Sequence, residues 1–195
     1  MIQTISLALR ALVVLTLLTG VVYPLVITGI AQAIFPAQAN GSLVEVDGVV
    51  IGSELVGQQT EDERYFWWRP SAVNYMLGSN ASNLGSSGAT NFGPTSAAMA
   101  AQVAERREWL RAVNGLPETM PVPRDLLFAS GSGLDPHISP DAAYIQVNRV
   151  AAARGLATEP VAALVEQAVE WPQLGFLGEP RVNVLRLNLA LDALQ

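Results

Sequence analysis

Residues 129–140, ASGSGLDPHISP, place two serines, an aspartate and the single histidine of the chain among glycines and prolines. A nucleophile, a base and an acid are the groups that acyl transfer needs, so Ser130, Ser132, Asp135 and His137 are the first candidates for chemistry. Their spacing misses each template. A nucleophile elbow requires glycine two positions before the serine, and Ser130 stands there ahead of Ser132. A dinucleotide-binding loop requires a third glycine where Pro136 stands. A triad packed into the eight residues 130–137 also lacks the separated elements from which triads are assembled. The stretch reads instead as a shaped loop. Gly131 and Gly133 admit φ values that other residues avoid, and Asp135 and His137 either hold the loop by hydrogen bonds or face a partner.

Composition removes further classes. All eleven basic residues are arginine, so a P-loop lysine and Schiff-base chemistry are excluded. Cysteine is absent, which excludes disulfides, thiolate metal sites and cysteine nucleophiles. One histidine cannot make an HExxH zinc site, and no metal site is expected. The 17 acids and every arginine except Arg10 follow residue 44, a net of about −7 for that part. Nucleic acid is therefore not an expected partner. The acidity either keeps the domain soluble or concentrates cations within a Debye length of about 8 Å.

Two more groups of residues suggest contact rather than catalysis. YFWWRPSA (65–72) carries four aromatic rings in a row, and as a strand it must turn some of them outward. Trp67, Trp68 and Arg69 then read as an interface or a membrane-surface belt, with a core strand as the plain alternative. Thr16, Gly20, Pro24 and Thr28 recur every four residues within an apolar run, a small and weakly polar stripe that lets a second helix approach. Pro24 is expected to kink that helix.

The run itself, Ala11 to Phe35, has 25 residues without a charge, and about 20 suffice to span a bilayer as a helix. A cleavable signal peptide is the alternative, given Ala31-Gln32-Ala33 and Ala37-Gln38-Ala39, but its apolar part is shorter, about 7 to 15 residues. Arg10 before the run and Glu45 as the first ionisable residue after it put the N-terminus in the cytoplasm. The expected organisation is a short cytoplasmic segment 1–10, a transmembrane helix 11–35 and an extracytoplasmic domain 36–195.

Within the outer domain, residues 41–58 predict two strands around the Asp47-Gly48 turn. Asn74 to Thr95, rich in Gly, Ser and Asn, predicts a long loop. A helix is expected from Thr95 or Ser96 to Asn114-Gly115, with Met99, Val103, Leu110 and Val113 on one face. Ser139-Pro140-Asp141 opens a second helix that Gly155 closes, and Thr158 opens a third with Pro160 in its first turn. RVNVLRLNLALDAL (181–194) alternates at Leu185, Leu187, Leu189 and Leu191, which predicts a strand. The class is α+β.

Six segments in order, NGSL at 40, YFxxRPSA at 65, TNFGPT at 90, ASGSGLDPHISP at 129, QVNRVAAARGL at 146 and FLGEPRVNVLRLNLALD at 176, resemble the C subunit of the Kdp-type potassium-transporting P-type ATPase of bacteria. The resemblance covers nearly the whole chain. It implies a non-catalytic accessory subunit of an inner-membrane pump, needed for assembly and activity. The implied partners are a channel-like potassium-translocating subunit, a P-type ATPase subunit, a small single-span subunit and the lipid bilayer; ATP and potassium are used by the complex. It also carries two mechanisms. In one, the outer domain docks over the mouth of the potassium-translocating subunit. In the other, the subunit is a catalytic chaperone that raises the ATP affinity of the ATPase subunit, with nucleotide contact at a Gln-x-x-Arg element, here Gln146 and Arg149. From spacing alone those two residues are ordinary helix-surface or packing residues. A membrane-anchored hydrolase and a free-standing solute receptor are the readings of another class.

Overall fold

A computed structural model describes residues 2–73 and 86–194. It divides into two compact units, Met1–Ile51 and Gly52–Gln195.

The first unit is dominated by one continuous helical rod. Helix α1 (Ile2–Leu17) passes through a wide π turn (Leu18–Val22) into α2 (Tyr23–Ile34), a 33-residue apolar helix of membrane-spanning length. The helix therefore begins well before Ala11. The wide turn lies one residue ahead of the Tyr23-Pro24 step, where a proline ring would crowd the carbonyl of residue 20 in a regular helix. The perturbation expected at Pro24 is taken up in that turn. Beyond Phe35, helix α3 (Pro36–Ala39) is tied back to the rod by reciprocal amide hydrogen bonds between Gln32 and Asn40 of 3.2 and 3.1 Å. Strands β1 (Leu43–Val46) and β2 (Val49–Ser53) follow and pair as the predicted hairpin. Asp47 and Gly48 hold φ of 51° and 78°, the positive pair that a two-residue turn demands.

The second unit is mixed α and β. Helix α4 (Ala97–Asn114) starts where predicted, with the Ser96 hydroxyl accepting from the Met99 amide at 3.3 Å, and ends at Gly115 in the left-handed region. Val103 and Leu110 are buried on it, with Met99 and Val113 packed alongside. A short helix, α5 (Arg124–Leu127), precedes β3 (His137–Ile138). The single helix expected from Ser139 to Gly155 is in fact two, α6 (Pro140–Tyr144) and α7 (Val147–Arg154). The break has a local cause. The Gln146 side chain donates to the Ala142 carbonyl at 2.9 Å, the acceptor an unbroken helix would give to its backbone amide, and that amide bonds Ala143 instead. Helix α8 (Thr158–Gln167) begins as predicted and buries Val161 and Val165.

Strand β4 (Val169–Glu170) and strand β5 (Arg181–Asn183) complete an antiparallel sheet of order β3, β5, β4, with Ile138 and Val169 both registered on Val182. The C-terminal strand predicted over 181–194 does not form as such: β5 stops at Asn183, and α9 (Val184–Asp192) takes over. Asn183 caps α9 by accepting from the Arg186 amide at 3.2 Å. The leucines alternate, but Val184, Leu187, Asn188 and Leu191 also follow helical spacing, and those four are buried. Leucine is not branched at Cβ and favours the helix, so burial of the helical face overrides the alternation. Of the predicted loop over Asn74 to Thr95, residues 74–85 lie outside the described residues, and 86–95 form neither helix nor strand.

Candidate functional site

The loop that carries Ser130 and His137 is built from internal hydrogen bonds. Ser130 Oγ accepts from the Gly133 amide at 3.1 Å, Ser132 Oγ accepts from the Leu134 amide at 3.0 Å, and the two hydroxyls lie 3.2 Å apart. Asp135 Oδ1 accepts from the His137 amide at 3.0 Å, and its Oδ2 accepts from Arg69 Nη1 at 2.7 Å. Among the described residues neither serine hydrogen-bonds His137, whose ring stands 3.8 Å from Asp135 and 3.9 Å from Glu170. Nucleophile and base are not joined, so the loop shows no hydrolase geometry. Burial works against ionising Asp135, but the ring and amide of His137 and the Arg69 guanidinium more than offset it and bring its pKa down to about 2. Gly133, at φ 72°, has the Gly88 carbonyl 2.5 Å from where a Cβ would stand, so a side chain is excluded twice over.

Residues 65–70 form no strand. The aromatic segment is instead gripped by side chains of α7, of α9 and of the turn between α6 and α7. Trp67 donates its amide to Gln146 Oε1 at 2.8 Å, and its carbonyl accepts from Gln146 Nε2 at 3.3 Å. Asn188 makes the same pair of bonds to Phe66, at 2.8 and 3.0 Å. Arg149 donates to the carbonyls of Glu63 and Tyr65, to Gln146 Oε1 at 2.8 Å and to Asn114 Oδ1 at 3.0 Å. Two amides and one guanidinium thus supply the hydrogen bonds that neighbouring strands would otherwise make. Gln146 is fully buried and Arg149 is 6% exposed, so of the surface and packing roles that spacing left open both residues take the packing one. Burial pushes the Arg149 guanidinium down to about 10, against the pull of Glu63 and Asp62, and it stays charged at neutral pH.

The aromatic residues sort by depth. Phe66 and Trp67 belong to the core, Trp67 being 7% exposed, whereas Trp68 and Arg69 are half-buried along a cleft of about 330 Å³ that Arg106 and Trp109 also line. A cluster of four large exposed apolar side chains lies elsewhere in this unit. The β4–β5 connection, WPQLGFLG (171–178), leaves Trp171 75%, Leu174 83%, Phe176 73% and Leu177 52% exposed. In the first unit Thr16, Gly20, Pro24 and Thr28 are all exposed on the helical rod. A wide turn advances less per residue than a regular one, so the turn at 18–22 counters the drift of a stripe spaced by four. Among the described residues no three His, Asp or Glu side chains gather as a metal ion would need.

A family model described as KdpC, K+-transporting ATPase, c chain, matches residues 5–193. The chain belongs to the KdpC family. It is 56% identical over 189 residues to the potassium-transporting ATPase KdpC subunit of Methylococcus capsulatus, covering 96% of each chain. It is 55% identical to that of Sorangium cellulosum over 95% of each chain. With the subunit of Polaromonas naphthalenivorans it shares 53% identity over 96% of this chain and 93% of the relative. As a KdpC it is a component of a potassium-transporting ATPase, and the other subunits of that ATPase are its partners. In this KdpC the Gln-x-x-Arg element lies inside the clamp. Sequence reasoning missed Asn188, Asn114 and Trp109; the available signal was an amide at 188 on an otherwise apolar helical face.

Proposed function

We propose that this chain is the non-catalytic accessory subunit of an ATP-driven potassium uptake pump of the bacterial inner membrane. Its helix packs beside the potassium-translocating subunit, its N-terminus is cytoplasmic, and its outer domain docks over that subunit's extracytoplasmic mouth. The P-type ATPase subunit and the small single-span subunit complete the complex. The observation that carries the reading is the 33-residue apolar helix, whose most apolar stretch is not buried within the chain, marked with a small-residue stripe. A membrane helix of that kind is a natural assembly surface. The acidic domain beyond it raises cation concentration near the mouth.

The alternative, a catalytic chaperone with Gln146 and Arg149 on ATP, has the burial of both residues against it. Their polar atoms are already bonded to Trp67, Ala142, Glu63, Tyr65 and Asn114. Potassium uptake at micromolar potassium, together with co-purification of the pump subunits, tests the reading. Gly20→Leu lowers both if the stripe packs on a partner, and unchanged assembly and uptake would rule that packing out. Topology is tested by Glu166→Cys in this cysteine-free chain: a membrane-impermeant maleimide labels it from outside intact spheroplasts, whereas labelling only after lysis reverses the orientation.

A further inference from the structure

The hairpin tip at 171–178 is shaped for insertion, and nothing among the described residues of its own unit covers its apolar side chains. Leu174 and Gly175 hold φ of 55° and 81°, and Gly178 holds 99°. A leucine seldom adopts the left-handed region, so the turn keeps a strained residue at its apex and an exposed one at once. The turn is nevertheless firmly made. The amides of Gly175 and Leu177 donate to the carbonyls of Pro172 and Gln173 at 3.0 Å each, and Gln173 and Leu177 form a β-bridge. Leu174, Phe176 and Leu177 are thereby presented in one fixed arrangement, which lowers the ordering cost of burying them.

The base of the hairpin differs in kind from its tip. Glu170 on β4 pairs with Arg181 on β5 at 2.9 Å, and the His137 ring lies 3.9 Å from the same carboxylate. The paired Glu170 and Arg181, together with Glu179, border an uncharged stretch of eight residues, the plan of a protein contact with an apolar centre and a polar rim. A lipid surface is served worse. Membrane-inserting segments carry basic flanks, whereas Glu170 and Glu179 border this tip, and the domain around it is acidic. The family supplies the missing partner, since a KdpC works within a multi-subunit ATPase.

We propose that the tip of the β4–β5 hairpin, through Leu174, Phe176, Leu177 and Trp171, is the anchor that seats the outer domain in an apolar recess on another subunit of the same ATPase. The proposal rests on the accessory-subunit reading and adds to it the surface that docks.

The experiment uses the assembled ATPase in lipid nanodiscs. With benzoylphenylalanine in place of Phe176, irradiation yields a covalent adduct to another ATPase subunit. In parallel, Leu174→Asp with Phe176→Ser shortens the retention time of this chain on the complex at least tenfold, whereas Leu55→Asp, at a similarly exposed site elsewhere, leaves it unchanged. Unchanged circular dichroism and thermal midpoint in each variant separate docking from folding. Adducts only to lipid or to a second copy of this chain overturn the proposal, as does retention unaffected by the tip variant. If the unaltered chain itself fails to co-purify with the ATPase, the subunit reading falls and the anchor with it. If it co-purifies and the tip gives no subunit adduct, only the anchor falls.

Discussion

The guanidinium of Arg149 lies over the indole of Trp67, 3.7 Å from the ring centroid, and Trp109 stacks on that indole at 4.8 Å. Both partners need a ring face, so they occupy opposite ones, and Trp67 is layered between a buried cation and a half-exposed aromatic. Among the described residues no carboxylate forms an ion pair with Arg149 within 4.0 Å; carbonyls, amide oxygens and the ring touch its charge, and Glu63 and Asp62 attract it from farther away.

That arrangement predicts a structural phenotype for the Arg149 side chain in the complete absence of nucleotide. Arg149→Met strands the carbonyls of Glu63 and Tyr65 and the Asn114 amide oxygen, and breaking such a buried charged network costs about 3 to 5 kcal/mol. Arg149→Lys keeps the charge but loses the planar fork, so about 2 kcal/mol is still lost. Urea unfolding of the purified chain in detergent measures both. Stability equal to the unsubstituted protein, with only ATP affinity of the pump altered, would restore a nucleotide role.

Gln146 and Asn188 grip adjacent residues of one segment, and this makes their contributions interdependent. Gln146→Leu leaves the amide and carbonyl of Trp67 unbonded, and Asn188→Leu does the same to Phe66, each costing about 2 to 3 kcal/mol. Releasing either residue loosens the other. The double variant is therefore less destabilised than the sum by about 1 kcal/mol or more in a mutant cycle. Strict additivity would mean that the two amides hold independent pieces of chain.

Much of this architecture was legible because it is local. The Asp47-Gly48 hairpin, the Ser96 cap and the Gly115 stop each need only a few neighbouring residues, and each stands where the sequence placed it. The clamp was not legible for the opposite reason. Trp67 and Gln146 are 79 residues apart, and Phe66 and Asn188 are 122 apart, so no local pattern announces that amides will stand in for a strand. The C-terminal leucines show the intermediate case. Their alternation and their helical spacing coexist, and only packing of Val184, Leu187 and Leu191 into the core selects the helix. For the loop at 129–140 the residue types pointed to chemistry and the spacing pointed away from it; the serine hydroxyls accepting from Gly133 and Leu134 agree with the spacing.

Close packing against that loop makes two glycines intolerant of any side chain. A Cβ on Gly57 would lie 2.6 Å from the Asp135 carbonyl oxygen, and one on Gly133 would meet the Gly88 carbonyl while φ stays at 72°. Gly57→Ala and Gly133→Ala are each expected to destabilise by about 2 kcal/mol or more, because backbone rather than a yielding side chain is in the way. Gly131→Ala, where nothing lies within 4 Å and φ is not positive, serves as the control and shifts the thermal midpoint little. Equal effects at all three positions would mean that the loop responds to chain entropy and not to contact.

Acid should expose the Arg69–Asp135 pair. Asp135 titrates near 2 in the folded chain against an ordinary 3.8, so the unfolded chain takes up its proton first as pH falls. For a lowered carboxylate the stabilisation is complete above about pH 4 and is lost as pH drops through about 2, a swing of about 2 kcal/mol. Asp62 is also held near 2, by its hydrogen bonds from Arg64, but that arginine is 63% exposed and screened, so little of the swing belongs to it. The groups facing Asp135 are Arg69 and His137, and His137 also faces Glu170. Asp135→Asn is therefore less stable than the unsubstituted chain at pH 7 by about 2 kcal/mol, and the gap narrows below about pH 4 and closes only as pH falls through about 2. Urea titrations at a series of pH values read that gap directly. A gap that stays constant across the series would assign the effect to packing of the loop, with no share for the ion pair.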